Sequence, residues 1–295
     1  MRNRTRFLAL AVTLPLALTA CGGSSSSSSK ASSAPGAGAS ADSALAGRVP
    51  DAIKKDGKVV VGTDSTYAPN EFLDADGKTV VGFEVDLFQA VAAKLGLKAE
   101  FQSAPFDAII PGVNSGKYEI GVSSFTINPE RSKAVDMVKY FNAGTQWATK
   151  KGGPGVNPDD ACGKKVAVQQ GTVQLDDVTA RSKKCTDAGK SAITIEQFQS
   201  QADATASVVT GKDAAMLADS PVIAYAVKQA NGQLQALGQI YDAAPYGFVV
   251  SKAQDAFAQV LVDALQAVIQ DGSYKKVLSK WGVDQGAIDT PALNP

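Results

Sequence analysis

Short apolar strands alternate with helices in two successive runs along this chain of 295 residues, and this order constrains the fold more than any other feature. The predicted strands of the first run are residues 58–62, 98–102 and 118–123. Those of the second run are residues 166–168, 192–195 and 214–217. Strands that alternate with helices predict an α/β fold with a mainly parallel sheet.

Apolar side chains at helical spacing mark the helices between these strands. After Phe83, apolar residues recur about every 3.6 positions until Gly96 ends the helix. Further helices are predicted at residues 106–113, around 175–178, up to about 209 and at 221–230, and two apolar stripes follow at 257–268 and 274–281. We interpret these stripes as core packing and assign them no other role.

The first twenty residues are typical of a secretory signal. Arg2, Arg4 and Arg6 precede an apolar stretch at residues 7–18 that is too short to span a bilayer. The sequence LTAC at residues 18–21 resembles the bacterial lipobox, in which the cysteine becomes the lipidated N-terminus after cleavage. We predict a signal peptide at residues 1–20 and a lipid on Cys21. A chance match is the alternative, because small residues before a cysteine are common.

Residues 22–46 consist almost entirely of Ser, Ala and Gly, a composition that cannot form a packed core. A flexible chain of this length spans roughly 25–30 Å on average. We therefore expect residues 21–47 to be an anchor and tether that lifts a folded domain from a membrane surface. The alternative is a disordered tail without consequence. The remaining chain is long enough for one large domain or two lobes.

Composition excludes several classes of function. The chain contains no histidine, which removes Ser-His-Asp, Cys-His and His-ligated metal chemistry. Its formal net charge is zero and it has no basic block, so nothing favours nucleic-acid binding. We predict no cofactor and no bound metal. The acidic pairs along the chain are interpreted as solvated surface.

The cysteines suggest one bridge. With Cys21 assigned to lipid, Cys162 and Cys185 remain as a pair in an exported, oxidising context. A disulfide between them is the natural interpretation and would stabilise the fold by about 3 kcal/mol. Two free thiols are the alternative.

Two motifs resemble those of a known family. GFEVDLF at residues 82–88 and TINPERSKAVD at residues 126–136 are similar to the solute-binding proteins of polar amino-acid ABC importers, often called family 3. The resemblance extends over residues 55–283 and includes DGSY at 271–274 and KWG at 280–282. It implies capture of a free amino acid and its delivery to a membrane permease.

The same resemblance implies the type II periplasmic-binding fold, an α/β architecture of two lobes joined by a two-strand hinge. Hinge strands are expected near residues 143–148 and 241–246. Lobe 1 would comprise residues 48–143 and 247–295, and lobe 2 would comprise residues 144–246. The periodicity of the sequence does not by itself show this interleaving.

At the matching position of the family, an arginine clamps the α-carboxylate of the ligand, and Arg131 stands there. Its planar fork can meet a carboxylate with two hydrogen bonds, which Lys cannot do. Thr126 would add a hydroxyl and a backbone N–H, and Gly171-Thr172 would offer N–H groups at a helix start. From the residues alone, an Arg after Pro-Glu is more often a solvated residue at a helix start.

The resemblance assigns the α-ammonium to Asp219 and to the backbone carbonyl of Ser124. The alternative for Asp219 is a helix N-cap before Pro221, a position that Asp favours. Ser220 could fill that cap instead and would leave Asp219 free.

Tyr67 and Phe106 match two aromatic residues that sandwich the ligand side chain, with Asp64 beside them. Without the resemblance, aromatic residues at strand ends are more often core. An aromatic pair holds planar amide or cationic groups by stacking and cation–π contact. Asn70 and Gln169 depart from the family pattern, and Gln169 stands where glutamine binders typically have Lys. A polar or cationic amino acid is the expected ligand class.

Two other functions compete with transport. Some proteins on this fold are dehydratases or cell-wall lyases that use a pocket acid, and others are ligand sensors without a transporter. The complete carboxylate and ammonium clamps favour plain binding by a protein that is not an enzyme. We expect a monomer, attached to the outer face of the membrane by its lipid alone, whose partner is the permease of an ABC importer.

Overall fold

The computed structural model describes residues 41–295. Its strands are β1 Lys58–Thr63, β2 Thr66–Tyr67, β3 Glu71–Leu73, β4 Val80–Val81, β5 Lys98–Ser103, β6 Ile120–Gly121, β7 Val135–Lys150, β8 Lys165–Gln169, β9 Thr194–Phe198, β10 Ala215–Asp219 and β11 Leu234–Ser251. Its α-helices are α1 Ser43–Arg48, α2 Asp51–Lys54, α3 Phe83–Lys94, α4 Phe106–Asn114, α5 Pro129–Ala134, α6 Val173–Asp187, α7 Gln201–Thr210, α8 Ser220–Gln229, α9 Asp255–Gln270 and α10 Ser273–Trp281. Short 3-10 helices cover Lys252–Gln254 and Asp284–Gly286.

Eight strands form one sheet in the order β5-β1-β6-β11-β7-β10-β8-β9, and β2, β3 and β4 form a small separate antiparallel sheet. β1 is parallel to β5 and β6 at one end of the large sheet, and β8 is parallel to β9 and β10 at the other. Between these ends lies the long antiparallel pair of β7 and β11. The predicted α/β fold of two lobes joined by two strands is confirmed.

β7 and β11 each belong to both lobes. The ladder between them starts beside β6, where Val249 of β11 pairs with Gly121, and it ends beside β10, where Ala215 pairs with Thr149 of β7. Its register shifts three times, between Leu237 and Tyr241, between Tyr241 and Ala244, and between Tyr246 and Gly247. These irregularities lie midway between the lobes, so the ladder is least regular at the crossover.

The core of lobe 1 joins the beginning and the end of the chain. Phe83 and Phe88 of α3 are fully buried with Phe257 and Leu261 of α9 and with Leu278 of α10. Burying a side chain of this size contributes about 1.5–3 kcal/mol. The apolar stripes of the C-terminal helices therefore complete the lobe that the first residues of the domain begin.

The core of lobe 2 covers both faces of its strands. On β8, Val166 and Val168 face one apolar cluster, whereas Ala167 faces another. On β10, Leu217 shares the first cluster and Met216 the second. This alternation follows from the two-residue period of a strand that is covered by helices on both faces.

The folded domain begins earlier than the predicted tether boundary at residue 47. Asp42 accepts hydrogen bonds from the N–H groups of Ala44 and Leu45 and caps α1. Leu45 is buried in the lobe 1 core, and Arg48 forms an ion pair with Asp263 of α9 at 2.7 Å. The sequence did not predict this short helix, because Leu45 is its single buried residue and the surrounding segment is rich in serine. The predicted signal peptide, Cys21 and most of the tether lie outside the described residues.

Cys162 and Cys185 form a disulfide that ties the segment before β8 to α6. Their Cα atoms are 5.6 Å apart. None of the helices within residues 41–295 is long and apolar enough to cross a membrane.

We expect the double replacement of Cys162 and Cys185 by Ala to lower the free energy of unfolding by about 3 kcal/mol, because the bridge restricts the unfolded chain. Urea denaturation of the purified protein measures this change. Since neither cysteine lines the cavity described below, ligand affinity should not change. An unaltered denaturation midpoint would contradict the expectation.

Candidate functional site

A cavity lies between the two lobes, where four strands of the large sheet end. Asp64 follows β1, the segment from Ser123 follows β6, Gln169 ends β8 and Asp219 ends β10. The carboxyl ends of strands in open α/β sheets are the usual place for a ligand. The residues around the cavity are Asp64, Tyr67, Phe106, Ser123, Ser124, Thr126, Arg131, Gln169, Thr172, Val173, Gln174 and Asp219.

Nine of the predicted ligand residues line this cavity, and the remaining two do not. Asn70 is fully buried behind the wall, where its Nδ2 donates a hydrogen bond to Ser124 Oγ at 2.7 Å. Gly171 has a φ of 75°, and an added Cβ would lie 2.8 Å from Asp107 Cβ, so it serves as a tight turn. Ser123, Val173 and Gln174 line the cavity although the sequence analysis did not select them. Ser123 and Gln174 are polar neighbours of selected residues at strand and helix ends, which is the signal that could have identified them.

Arg131 is held by the end of a short helix and by two aromatic rings. Asn128 caps α5 by accepting a hydrogen bond from the Arg131 N–H at 2.8 Å. The guanidinium donates from Nη1 to the carbonyl of Thr126 at 2.9 Å and from Nη2 to that of Gly171 at 3.1 Å. It lies 5.3 Å from the Phe106 ring centroid and 5.6 Å from that of Phe125. These contacts orient the fork and use two of its five N–H donors.

Burial and the neighbouring charges shift the pKa of Arg131 in opposite directions. Burial lowers the pKa of Arg131, and the negative charges of Asp219, Asp176 and Glu130 act against that effect. A guanidinium stays charged under such conditions because its unperturbed pKa lies far above neutral pH. Arg131 is therefore a half-buried, oriented cation in the wall of the cavity.

Asp219 is a buried carboxylate that does not cap its helix. It occupies the N-cap position of α8, yet its side chain makes no capping bond. Its Oδ2 accepts a hydrogen bond from the Tyr67 hydroxyl at 2.8 Å, and its Oδ1 accepts one from Gln174 Nε2 at 2.9 Å. Burial raises the pKa of Asp219, while hydrogen bonds from Tyr67 and Gln174 and the charge of Arg131 lower it. The alternative of an N-cap role is thus not what the structure shows.

Asp64 is the second buried carboxylate of the cavity. Its Oδ1 accepts hydrogen bonds from the backbone N–H of Thr66 at 3.1 Å and from its hydroxyl at 2.8 Å. Its Oδ2 accepts one from Gln169 Nε2, which also donates to the carbonyl of Gln199. Burial raises the pKa of Asp64, and these hydrogen bonds oppose the shift. The partners are neutral, so Asp64 can still accept a cationic group.

Thr172 begins α6 at the far wall of the cavity. Its Oγ1 accepts a hydrogen bond from the Leu175 N–H at 3.2 Å and donates one to the carbonyl of Gln169 at 2.7 Å. The hydroxyl is therefore committed to the helix cap and the preceding turn. What remains for a ligand is the positive end of the α6 backbone, which favours an anion.

Several hydrogen bonds cross the cleft between the lobes. Tyr67 of lobe 1 bonds Asp219 of lobe 2, Gln169 bonds Asp64, and Arg131 bonds Gly171. Outside the cavity, Gln170 Nε2 donates to Asp107 Oδ2 at 2.8 Å. Charged groups of both lobes, Asp64, Arg131 and Asp219, therefore line the same cavity.

Comparison with known proteins agrees with this architecture. The family described as bacterial extracellular solute-binding proteins, family 3, matches residues 59–284. The arginine-binding protein ArgT of Corynebacterium glutamicum is 36% identical over 253 residues, which cover 85% of this chain and 82% of that protein.

Solved structures of similar proteins share the fold. An ancestral arginine-binding protein bound to arginine is 36% identical, with a TM-score of 0.71 over 76% of this chain and 98% of that one. The ancestral amino acid-binding protein AncCDT-1, a precursor of cyclohexadienyl dehydratase, is 34% identical, with a TM-score of 0.71 over 78% of this chain and 98% of that one.

Proposed function

We propose, for a chain that belongs to the bacterial extracellular solute-binding proteins of family 3, that the ligand is a cationic L-amino acid, with L-arginine the first candidate. The protein is the extracytoplasmic substrate-binding component of an amino-acid ABC importer. Its relatives are binding proteins and not enzymes. The named ligand of ArgT, at 36% identity, supports arginine over other members of the class.

The charges of the cavity carry this proposal. Among the residues that line it in the described part of the chain, Asp64 and Asp219 are acidic and Arg131 is the basic residue. A neutral amino acid brings one negative and one positive charge, whereas arginine or lysine brings a second positive charge. Since unpaired buried charges are costly, a cavity with two carboxylates and one guanidinium fits the cationic ligand best.

Each charge then has a place. We infer that Arg131 and the α6 N-terminus bind the α-carboxylate, and that Asp219 with the Ser124 carbonyl receives the α-ammonium. Tyr67 and Gln174 already donate to the two oxygens of Asp219, which keeps that carboxylate oriented. Asp64 is left for the side-chain cation, with the Phe106 ring in the same wall for cation–π contact.

Lobe closure follows from this division of roles. Asp64 and Arg131 belong to lobe 1, whereas Asp219 and Thr172 belong to lobe 2. A ligand that pairs with all of them links the lobes, and the hydrogen bonds Tyr67–Asp219 and Gln169–Asp64 show that these groups can approach one another. A bound amino acid would therefore favour the closed arrangement by its differential affinity.

We further propose that Cys21 carries a lipid, that residues 1–20 are removed as a signal peptide and that the protein acts as a monomer beside its permease. The support is the order of charged, apolar and LTAC segments at the start of the chain. A lipid anchor would keep the binding domain close to the permease that it supplies.

Arg131→Ala and Asp219→Ala should each weaken binding of L-arginine by roughly 10²–10³-fold, because each leaves one ligand charge buried without a partner. Isothermal titration calorimetry measures the loss. Arg48→Ala and Asp263→Ala remove the same residue types from a surface ion pair and serve as matched controls without effect on affinity. Wild-type affinity of Arg131→Ala would show that the proposed site is wrong.

Asp64→Asn should remove the preference for a charged side chain. L-citrulline has nearly the shape of L-arginine but a neutral side chain, so the ratio of their dissociation constants isolates the contribution of the charge. A hydrogen bond to a charged group contributes about 1.5–3 kcal/mol, so this ratio should fall by roughly 10–100-fold in the variant. An unchanged ratio would mean that Asp64 does not meet the side-chain cation.

Cys21→Ser should leave the protein unprocessed or released from cells, while the affinity of the purified protein stays the same. Metabolic labelling with a radioactive fatty acid, followed by fractionation of membranes, measures the difference. Persistent labelling of the Ser variant would contradict a lipid on Cys21.

A further inference from the structure

Two glutamate side chains lie together behind the cavity wall. Glu71 of β3 and Glu84 in the first turn of α3 are both fully buried, and each carboxyl group acts on the pKa of the other. The ion pairs found among residues 41–295 include neither of them. Two adjacent carboxyl groups in such surroundings cannot both be ionised at low cost.

This acid pair is hydrogen-bonded to the residues that form the cavity wall. Glu84 Oε2 accepts the backbone N–H of Ser124 at 3.0 Å, and Glu84 Oε1 accepts its hydroxyl at 2.7 Å. Glu71 Oε1 accepts the hydroxyl of Ser123 at 2.9 Å, and Ser123 Oγ accepts the backbone N–H of Asp64 at 3.0 Å. Four hydrogen bonds therefore connect the pair with Asp64, Ser123 and Ser124.

Ser124 depends on these bonds more than an ordinary residue would. Its φ is 53°, in the left-handed region that side chains other than glycine rarely occupy. Its N–H and its hydroxyl both donate hydrogen bonds to Glu84 and fix that conformation, and Asn70 donates a third bond to the hydroxyl oxygen. The result is a carbonyl of Ser124 held at the cavity wall.

The hydrogen bonds indicate which carboxyl group carries the proton. Glu84 accepts two donors from Ser124, as an ionised carboxylate does, whereas Glu71 Oε2 has no hydrogen-bond partner in the described residues. A proton on Glu71 Oε2 would donate to Glu84 and satisfy both groups. Burial and the charge of Glu84 raise the pKa of Glu71 well above its ordinary value.

The other titratable groups around the pair do not supply a positive charge. Tyr140 of β7 and Asp64 after β1 act on one or both carboxyl groups, and Tyr246 of β11 feels the charge of Glu84. All three are neutral or negative. A proton is therefore the available source of compensation.

We propose that Glu71 and Glu84 are positioning residues that share one proton and, in that form, hold Asp64, Ser123 and Ser124 in the geometry that binds the amino acid. The inference rests on the proposed function of the cavity, because it concerns the affinity of that ligand. A doubly ionised pair would repel and release Ser123 and Ser124. A pair without either carboxyl group would leave the hydroxyl of Ser123 or the N–H of Ser124 without an acceptor.

Two replacements of Glu71 distinguish a role in positioning Ser123 and Glu84 from a role in filling space alone. Glu71→Gln keeps an oxygen for Ser123 and replaces the shared proton by a permanent N–H donor toward Glu84. Glu71→Ala removes both and leaves Glu84 charged without its donor. Glu119, whose carboxylate accepts the backbone N–H of Val60 outside the cavity, gives the matched control Glu119→Ala.

The dissociation constant of L-arginine at pH 7 is the first measurement. We expect Glu71→Ala to weaken binding about ten-fold or more, since a lost acceptor and an unpaired buried charge distort the wall. Glu71→Gln should restore affinity to within a few-fold, and Glu119→Ala should not change it. Equal affinity of Glu71→Ala and wild type would overturn the proposal, as would a Gln variant as weak as the Ala variant.

The thermal midpoint as a function of pH is the second measurement, and it remains informative if Glu71→Ala does not fold. In the folded protein Glu71 keeps a proton that it loses in the unfolded chain above about pH 4.5, which is the ordinary pKa of the group. Wild type should therefore lose stability relative to Glu71→Gln as pH rises from there, by about ten-fold per pH unit in the unfolding constant until Glu71 ionises. If the difference in thermal midpoint between wild type and Glu71→Gln does not change with pH, the shared proton is overturned.

The two measurements also separate this inference from the proposed function. If wild-type protein binds no cationic amino acid, the proposed function fails. If wild type binds but the variants follow neither pattern, the positioning role of the pair fails while the function stands.

Discussion

The antiparallel pairing of β7 with β11 is the interaction on which the rest of the structure depends. These two strands run through both lobes, and every other strand of the large sheet is joined to one of them directly or through one or two intervening strands. Their pairing brings the carboxyl ends of β1 and β6 opposite those of β8 and β10. The cavity exists because residues separated by about half the chain, such as Tyr67 and Asp219, meet across this crossover. The register shifts in the ladder lie between the lobes.

The fold was accessible from the sequence because its signals are local. Periodicity identified α3 and α4 closely, and the motifs at residues 82–88 and 126–136 gave the interleaved lobes that periodicity alone does not reveal. Predicted strand boundaries were less accurate: β6 has two residues where the sequence suggested six. The β2–β3–β4 sheet was missed, because its strands are two or three residues long and show no alternation. Helix α1 was missed because its single buried leucine lies in a serine- and alanine-rich segment.

The cavity was predictable to the extent that its residues occupy positions of a known pattern. Arg131, Asp219 and Asp64 line it together, which is where the resemblance would place them. Asn70 was expected in the pocket but supports Ser124 from behind, and no sequence pattern distinguishes a wall from the layer that supports it. The sequence likewise did not reveal that Glu71 and Glu84 lie in the layer behind the cavity wall. Glu84 lies within the motif used to recognise the family, yet only the tertiary structure shows that its carboxylate holds Ser124.

Charge links the cavity to the layer behind it. The cavity wall carries two carboxylates and one guanidinium, and the acid pair behind it adds one further negative charge if Glu71 keeps its proton. These charges leave an excess of negative charge. A second cation on the ligand reduces that excess, whereas a neutral amino acid leaves it in place. Ionisation of Glu71 would increase the excess, but it would also break the bonds that hold the Ser124 carbonyl at the wall. Retention of that proton therefore lets the protein keep a negative potential that attracts a cationic ligand without losing the geometry that binds it. On this argument, the selectivity of the site and the rigidity of its wall depend on the same buried proton.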